Sequence, residues 1–182
     1  MTVLVVAAHP DDETLGAGGS IARFTAAGRP VSWLVLGEGT TSRSSAGVAD
    51  HLEAQAAECR TAAAILGVQD VQQDAFPDNR FDAVDLLDVV KVVEAAIDRV
   101  RPTLVLTHHG HDLNVDHRRT HDAVVTATRP LPGSPVATVL AFEVVSSTEW
   151  AFGRAPFTPN VFIDISATLD AKLRAVRAYR SE

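Results

Sequence analysis

Cysteine is nearly missing from this chain: Cys59 is the only one in 182 residues. A disulfide scaffold and a thiolate zinc site are thereby excluded, and the alanine-rich helical pattern around Cys59 marks it as a small buried apolar residue. Basic residues are scarce as well. No lysine or arginine run occurs and the formal net charge is −7, which argues against an electrostatic grip on nucleic acid or on an anionic membrane surface. No apolar run approaches the ~18 residues of a membrane span. The N-terminus carries neither the basic segment nor the small-residue cleavage site of a secretory signal, so a cytoplasmic protein is expected. Internal repeats and low-complexity segments are absent too. With 46% hydrophobic residues the chain can bury one substantial core, and residues 1–182 read as a single domain. Composition leaves self-association into a homo-oligomer open.

What is present is concentrated in two places. The first apolar run, Val3-Leu4-Val5-Val6-Ala7, has the length and branched content of a buried strand, and Ala8-His9-Pro10-Asp11-Asp12-Glu13 follows it directly. Crowded carboxylates repel one another unless a cation or hydrogen-bond donors compensate them. Helix capping would account for acids here, but an imidazole beside them points to a divalent metal. The second place follows Thr103-Leu104-Val105-Leu106-Thr107. Five of the seven histidines, His108, His109, His111, His117 and His121, fall within the fourteen residues behind that run.

Between and beyond these runs, strands alternate with helices. Ser20 to Ala27 reads as a helix with Ile21 and Phe24 inward, the glycines before it as a turn, and Val31 to Leu36 as the second strand. Residues 37–45 read as a mobile loop in which Arg43 is a candidate ligand donor. A helix over 48–66, a short strand Val68–Val71, a loop 74–81 holding Asp78, and a helix over 84–100 come next. After the fourth strand a helix runs to about Thr128. A strand through Ala141, a loop at 146–150, a strand-like Asn160–Ile163 and a last helix from about Ala167 to Tyr179 complete the chain. This alternation predicts an α/β, Rossmann-like three-layer fold: a mostly parallel sheet with helices on both faces. In the common order 3-2-1-4-5, strands 1 and 4 are neighbours and the crevice between them is the switch point where ligands bind. The acidic motif and the histidine-rich motif should face each other there.

A catalytic zinc takes about three protein ligands and leaves a position open to water. His9, Asp12 and His117 would supply that set, leaving Asp11 to deprotonate the attacking water. His108, His109, His111 and His121 stand behind His117 as alternative ligands or as surface and supporting groups. The donor types also suit iron(II), cobalt or manganese.

Ala8-His9-Pro10-Asp11-Asp12-Glu13 together with Asp112-Leu113-Asn114-Val115-Asp116-His117-Arg118 resembles the PIG-L/LmbE-like deacetylases, zinc hydrolases that remove N-acetyl groups from glucosamine-containing substrates. The segments 76–81 and 146–150 extend the likeness over nearly the whole chain. The resemblance implies the metal ligands His9, Asp12 and His117 and the general base Asp11. Where several members carry a carbonyl-polarising histidine, this sequence has Asn114, which can donate a hydrogen bond to an oxyanion but delivers no proton at neutral pH. Asp116 is expected to orient Asn114 or a neighbouring imidazole. Similar proteins continue past the stretch corresponding to Tyr179–Glu182, so a C-terminal segment is expected to be lacking. The implied reaction is attack of metal-activated water on the acetamide of a small-molecule amino sugar. Sugar hydroxyls call for bidentate polar side chains and an aromatic face, which makes Arg43, Asp78 and Trp150 the candidate sugar contacts.

Two rival readings have their own residues. Gly16-Ala17-Gly18-Gly19 with Glu38 about 20 residues on resembles part of a dinucleotide fingerprint, although Ile21 replaces the third glycine and the acids would repel a pyrophosphate. A noncatalytic relative that binds metal or saccharide without turnover is the other, favoured by Asn114 and the short C-terminus.

Overall fold

The computed structural model describes residues 1–39, 48–145 and 147–180. Five strands form one parallel sheet in the order β3-β2-β1-β4-β5: β1 is Val3–Ala7, β2 Val31–Gly37, β3 Asp70–Phe76, β4 Leu104–His108 and β5 Thr138–Phe142. The helices are α1 Asp12–Ala26, α2 Val48–Leu66, α3 Leu86–Val100, α4 Val115–Ala127 and α5 Leu169–Val176, with a 3₁₀ turn at Phe81–Ala83. This is the expected topology. It follows from β1, β2 and β4 being fully buried runs, as strands covered on both faces must be.

The alternation of side chains along β1 divides the interior into two cores. Val3 and Val5 pack with Ile21 of α1, Cys59 and Leu66 of α2, and Ala175 and Tyr179 at α5. Leu4, Val6 and Ala8 face Phe81, Val89 and Val93 of α3 and Val124 of α4. Val3 pairs with Val31 on one side and with Leu104 on the other, which puts β1 and β4 at the centre of the sheet with their carboxyl ends level. Among the described residues no helix is long and apolar enough to cross a membrane.

Three elements depart from the sequence expectation. α1 begins at Asp12, eight residues before Ser20, so the glycines read as a turn are helical. Close packing explains them: a Cβ on Gly16 would lie 2.2 Å from the Phe142 ring, and one on Gly19 would lie 2.6 Å from Ile165. Glycines inside a helix cannot form a phosphate-cradling loop, which removes the structural basis of the dinucleotide reading. β3 extends to Phe76 because edge pairing with β2 carries its polar residues, half exposed, into the ladder. Residues 160–163, expected as a strand, form none.

Candidate metal centre

Since β1 and β4 are adjacent, the loops leaving their carboxyl ends share one crevice. The β1–α1 loop brings His9, Pro10 and Asp11, and α1 opens with Asp12 and Glu13. The β4–α4 loop brings Asp112 and Asn114, and α4 opens with Asp116 and His117 close behind. A cavity of about 160 Å³ lies between them, lined in part by His9, Asp11, Asp12, Asp78, Asn114 and His117.

The donor set is compact. His9 Nδ1 lies 3.4 Å and His117 Nε2 3.2 Å from one oxygen, Asp12 Oδ2, and all three residues are buried. One donor atom from each lies within 4.8 Å of the others. Ligands about 2.0–2.1 Å from a tetrahedral ion stand about 3.3 Å apart, so these residues fit a divalent cation in both chemistry and spacing. His9, Asp78 and Asp116 form a second cluster of similar span. It shares His9, however, and the Asp116 carboxylate already accepts from His9 Nε2 at 2.8 Å, Asn79 N at 2.6 Å and Phe81 N at 2.9 Å. Those three donors fix the carboxylate in place behind His9.

Each imidazole of the set turns its remaining nitrogen toward a buried carboxylate. Asp116 stands behind His9, and Asp112 Oδ1 lies 3.2 Å from His117 Nδ1. Such outer carboxylates fix the tautomer and orientation of metal-binding histidines. Asp112 is itself held by the Asn114 backbone N–H at 2.8 Å and by the hydroxyls of Thr148 at 2.5 Å and Ser147 at 3.1 Å. Sequence reasoning assigned Asp112 no role. The signal that could have found it is the acid a metal-binding histidine usually needs, five residues ahead of His117.

Electrostatics follow from this packing. Burial alone would lower the His9 pKa, but its hydrogen bonds with Asp116 and Asp12 prevail and raise it to about 10. His117 behaves alike: burial opposes its charge, Asp12 and Asp112 favour it, and its pKa rises to about 9. Asp12 is buried too, yet the charge of His117 and the hydrogen bonds from His117 and His9 hold it well below the usual carboxylate range. Asp112 is drawn down to about 2, where the hydrogen bond from His117 outweighs burial. The crevice thus demands positive charge, as a cation site does.

The other histidines take other parts. His108 Nε2 accepts the Ala8 N–H at 2.9 Å and its ring stacks on His117 with centroids 4.0 Å apart. Burial and the neighbouring His117 charge push its pKa well below the ordinary value, so His108 is a neutral wall of the site. His121 Nδ1 meets the His108 carbonyl at 2.8 Å, while His109 contacts Phe157 and the Ala155 carbonyl. His111 lies beside His109.

Asn114 is the N-cap of α4. Its Oδ1 accepts the Asp116 N–H at 2.8 Å and its Nδ2 donates to Asn79 Oδ1 at 3.3 Å across the cleft. The Asp116 carboxylate therefore meets an imidazole, His9, and not the Asn114 side chain, which instead accepts the Asp116 backbone N–H. Asn79, unsingled by sequence, lines the same cleft. Asp78 is buried with Oδ1 3.4 Å from His9 Nε2. Trp150 is exposed, edge-on to Phe152, and is not among the residues lining the cleft. Arg43 lies outside the described residues.

A doubly wound parallel sheet with two histidines and a carboxylate gathered at its switch point defines an α/β protein equipped to hold a metal ion. The chain belongs to the PIG-L family: residues 4–128 match the family described as GlcNAc-PI de-N-acetylase. It is 30% identical to a relative from Bacillus cereus named "Probable N-acetyl-alpha-D-glucosaminyl L-malate deacetylase 2", over 99% of this chain and 83% of that one. It is also 30% identical to the diacetylchitobiose deacetylase of Thermococcus kodakarensis, over 99% and 69%. The crystal structure of GalB, the 4-carboxy-2-hydroxymuconate hydratase of Pseudomonas putida, superposes with a TM-score of 0.81 at 26% identity, covering 100% of this chain and 80% of that one.

Proposed function

We propose that this chain is a zinc-dependent hydrolase that removes the N-acetyl group from an N-acetylglucosamine-type amino sugar or its conjugate. The observation that carries the reading is the buried His9–Asp12–His117 donor set with Asp11 beside it in the same cleft. The family and the deacetylase relatives support the substrate class, a small-molecule amino sugar.

His9 Nδ1, Asp12 Oδ2 and His117 Nε2 would hold the ion, with Asp116 and Asp112 fixing the two rings from behind. A bound divalent cation supplies Lewis-acid polarisation of the acetamide carbonyl and acidifies water. Asp11 takes the proton of the attacking water and returns it to the leaving amine, because Asn114 has no proton to give. Asn114 keeps one Nδ2 hydrogen beyond its contact with Asn79 and directs it at the developing oxyanion. Leu15 and Val144 give the cleft an apolar side suited to the acetyl methyl. Asp78, which lines the cleft, contacts the sugar, and Arg43 and Trp150 are the further sugar contacts that the sequence offers.

The test is metal content and acetate release on protein purified without chelator. Wild type should carry about one zinc per chain, His9→Ala and His117→Ala should lose it, and Asp11→Asn should keep it while losing turnover. Wild type that neither carries nor takes up zinc sinks the reading. Metal-loaded wild type that binds N-acetyl sugars without releasing acetate would instead establish a saccharide-binding relative. The likeness to a hydratase makes acetate release, and not metal content, the deciding measurement.

A further inference from the structure

Glu13 is fully buried in the first turn of α1, yet it does not line the cleft and has no part in the chemistry above. Among the described residues its side-chain hydrogen bonds all come from donors. Its Oε2 accepts the backbone N–H of Asp11 at 3.2 Å, and its Oε1 accepts the hydroxyls of Tyr179 at 2.5 Å and Thr14 at 2.9 Å. Asp11, the residue it holds, sits at φ 113° and ψ −33°, backbone that residues with a side chain rarely adopt. Strained conformations of this kind persist only where their surroundings over-determine them. A buried carboxylate is an expensive group to keep where an apolar residue of similar volume would pack.

Resting on the deacetylase reading, we propose that Glu13 is a positioning residue: from the core beneath the cleft it clamps the Asp11 backbone and so aims the general base, and Tyr179 locks the clamp. The contact works like the back-bond of a capping box moved one residue forward, with a glutamate at the second helical position, not the third, reaching back to the N–H of the N-cap residue. Here the N-cap residue is the base itself. Tyr179 lies past α5 and 166 residues from Glu13 in sequence, buried against the same core as Ile21 and Cys59. The aim of Asp11 is thus tied to how the far end of the described chain packs. Without the clamp, Asp11 relaxes toward ordinary backbone and its carboxylate swings away from the water it must deprotonate.

The variants are Glu13→Ala, Glu13→Gln and Tyr179→Phe, read by amide hydrogen exchange on metal-free protein and by kinetics on zinc-loaded protein. Glu13→Ala should speed exchange at the Asp11 amide tenfold or more relative to β1 amides. It should also lower kcat about 100-fold, the effect of misplacing a reacting group by about 1 Å, while KM and zinc content stay unchanged. Glu13→Gln should restore both, because its carbonyl oxygen can take the Asp11 N–H while its NH₂ donates to the two hydroxyl oxygens. Tyr179→Phe should shift both readouts in the direction of Glu13→Ala by a smaller factor, and it carries the test if Glu13→Ala does not fold. Wild-type exchange at Asp11 in Glu13→Ala, or in Tyr179→Phe where that variant alone folds, would overturn the clamp. Loss of zinc along with kcat would also overturn it, by making Glu13 a support of the metal site. Wild type without acetate release would count against the deacetylase reading only, since the exchange data would still decide the clamp.

Discussion

Asp116→Asn perturbs one atom and should weaken metal binding and stability together. The wild-type carboxylate satisfies three N–H groups, two of them buried: Oδ2 accepts from His9 Nε2 and Asn79 N, and Oδ1 accepts from Phe81 N. An asparagine amide offers one acceptor oxygen and two hydrogens. If its oxygen takes the Oδ2 place, the NH₂ faces the Phe81 N–H; in the opposite orientation it faces two donors. The first is less costly and leaves one buried donor unsatisfied, which costs about 1–3 kcal/mol. For a chain of this size that is a fall in Tm of roughly 4–8 °C at 2 kcal/mol. His9 also loses the anion behind its ring, and removal of such a partner typically lowers metal affinity about 10–100-fold. Stability is read by thermal melts of metal-free protein and affinity by titration of zinc against a competing chelator. A variant whose zinc affinity stays within about threefold of wild type would refute the assignment of Asp116 as the partner that orients His9.

Two further expectations concern the scaffold. Gly16→Ala places a Cβ 2.2 Å from the Phe142 ring at the α1–β5 contact; overpacking of this kind costs about 1–3 kcal/mol, visible as a lower denaturant midpoint, and a neutral substitution would mean that α1 is not so closely seated. Burial, helped by the nearby Glu13 charge, pushes the Cys59 thiol up to about 12 from its ordinary 9. A raised thiol pKa means less thiolate, about 10⁻⁴ of the population at pH 8 in place of about 10⁻¹. Native protein should therefore resist disulfide reagents at pH 8 and react fully once unfolded; rapid labelling of native protein would contradict it.

The sheet order and the meeting of the two motifs were legible because both rest on patterns confined to short stretches. Val3–Ala7 and Leu104–His108 are apolar runs of strand length, and alternation with helices leaves few topologies. His9, Asp12 and His117 were legible for the same reason: their chemistry is unusual at a strand end. Asp112, Glu13 and Tyr179 were not. Their roles depend on partners that packing alone brings near, Thr148 for Asp112 and a residue 166 positions away for Glu13. The start of α1 was hidden because glycine signals a turn locally, whereas here it answers the bulk of Phe142 and Ile165, which lie far along the chain. Residues 160–163 show the converse, a β-like composition without a neighbouring strand to pair with.

The split of the donor set between the two halves of the chain has a consequence for assembly. His9 and Asp12 follow β1, His117 follows β4, and these strands are neighbours in the sheet although β2, β3 and the helices α1, α2 and α3 lie between them in the sequence. An ion held by all three residues acts as a removable cross-link spanning about a hundred residues, closed only in the finished sheet. Neither half of the chain offers the complete set, so occupancy requires β1 and β4 to have come together, and binding energy released there stabilises that pairing rather than one loop. Chemistry is thereby withheld from partly folded chains, in which an exposed, activated water would have no shaped cleft around it.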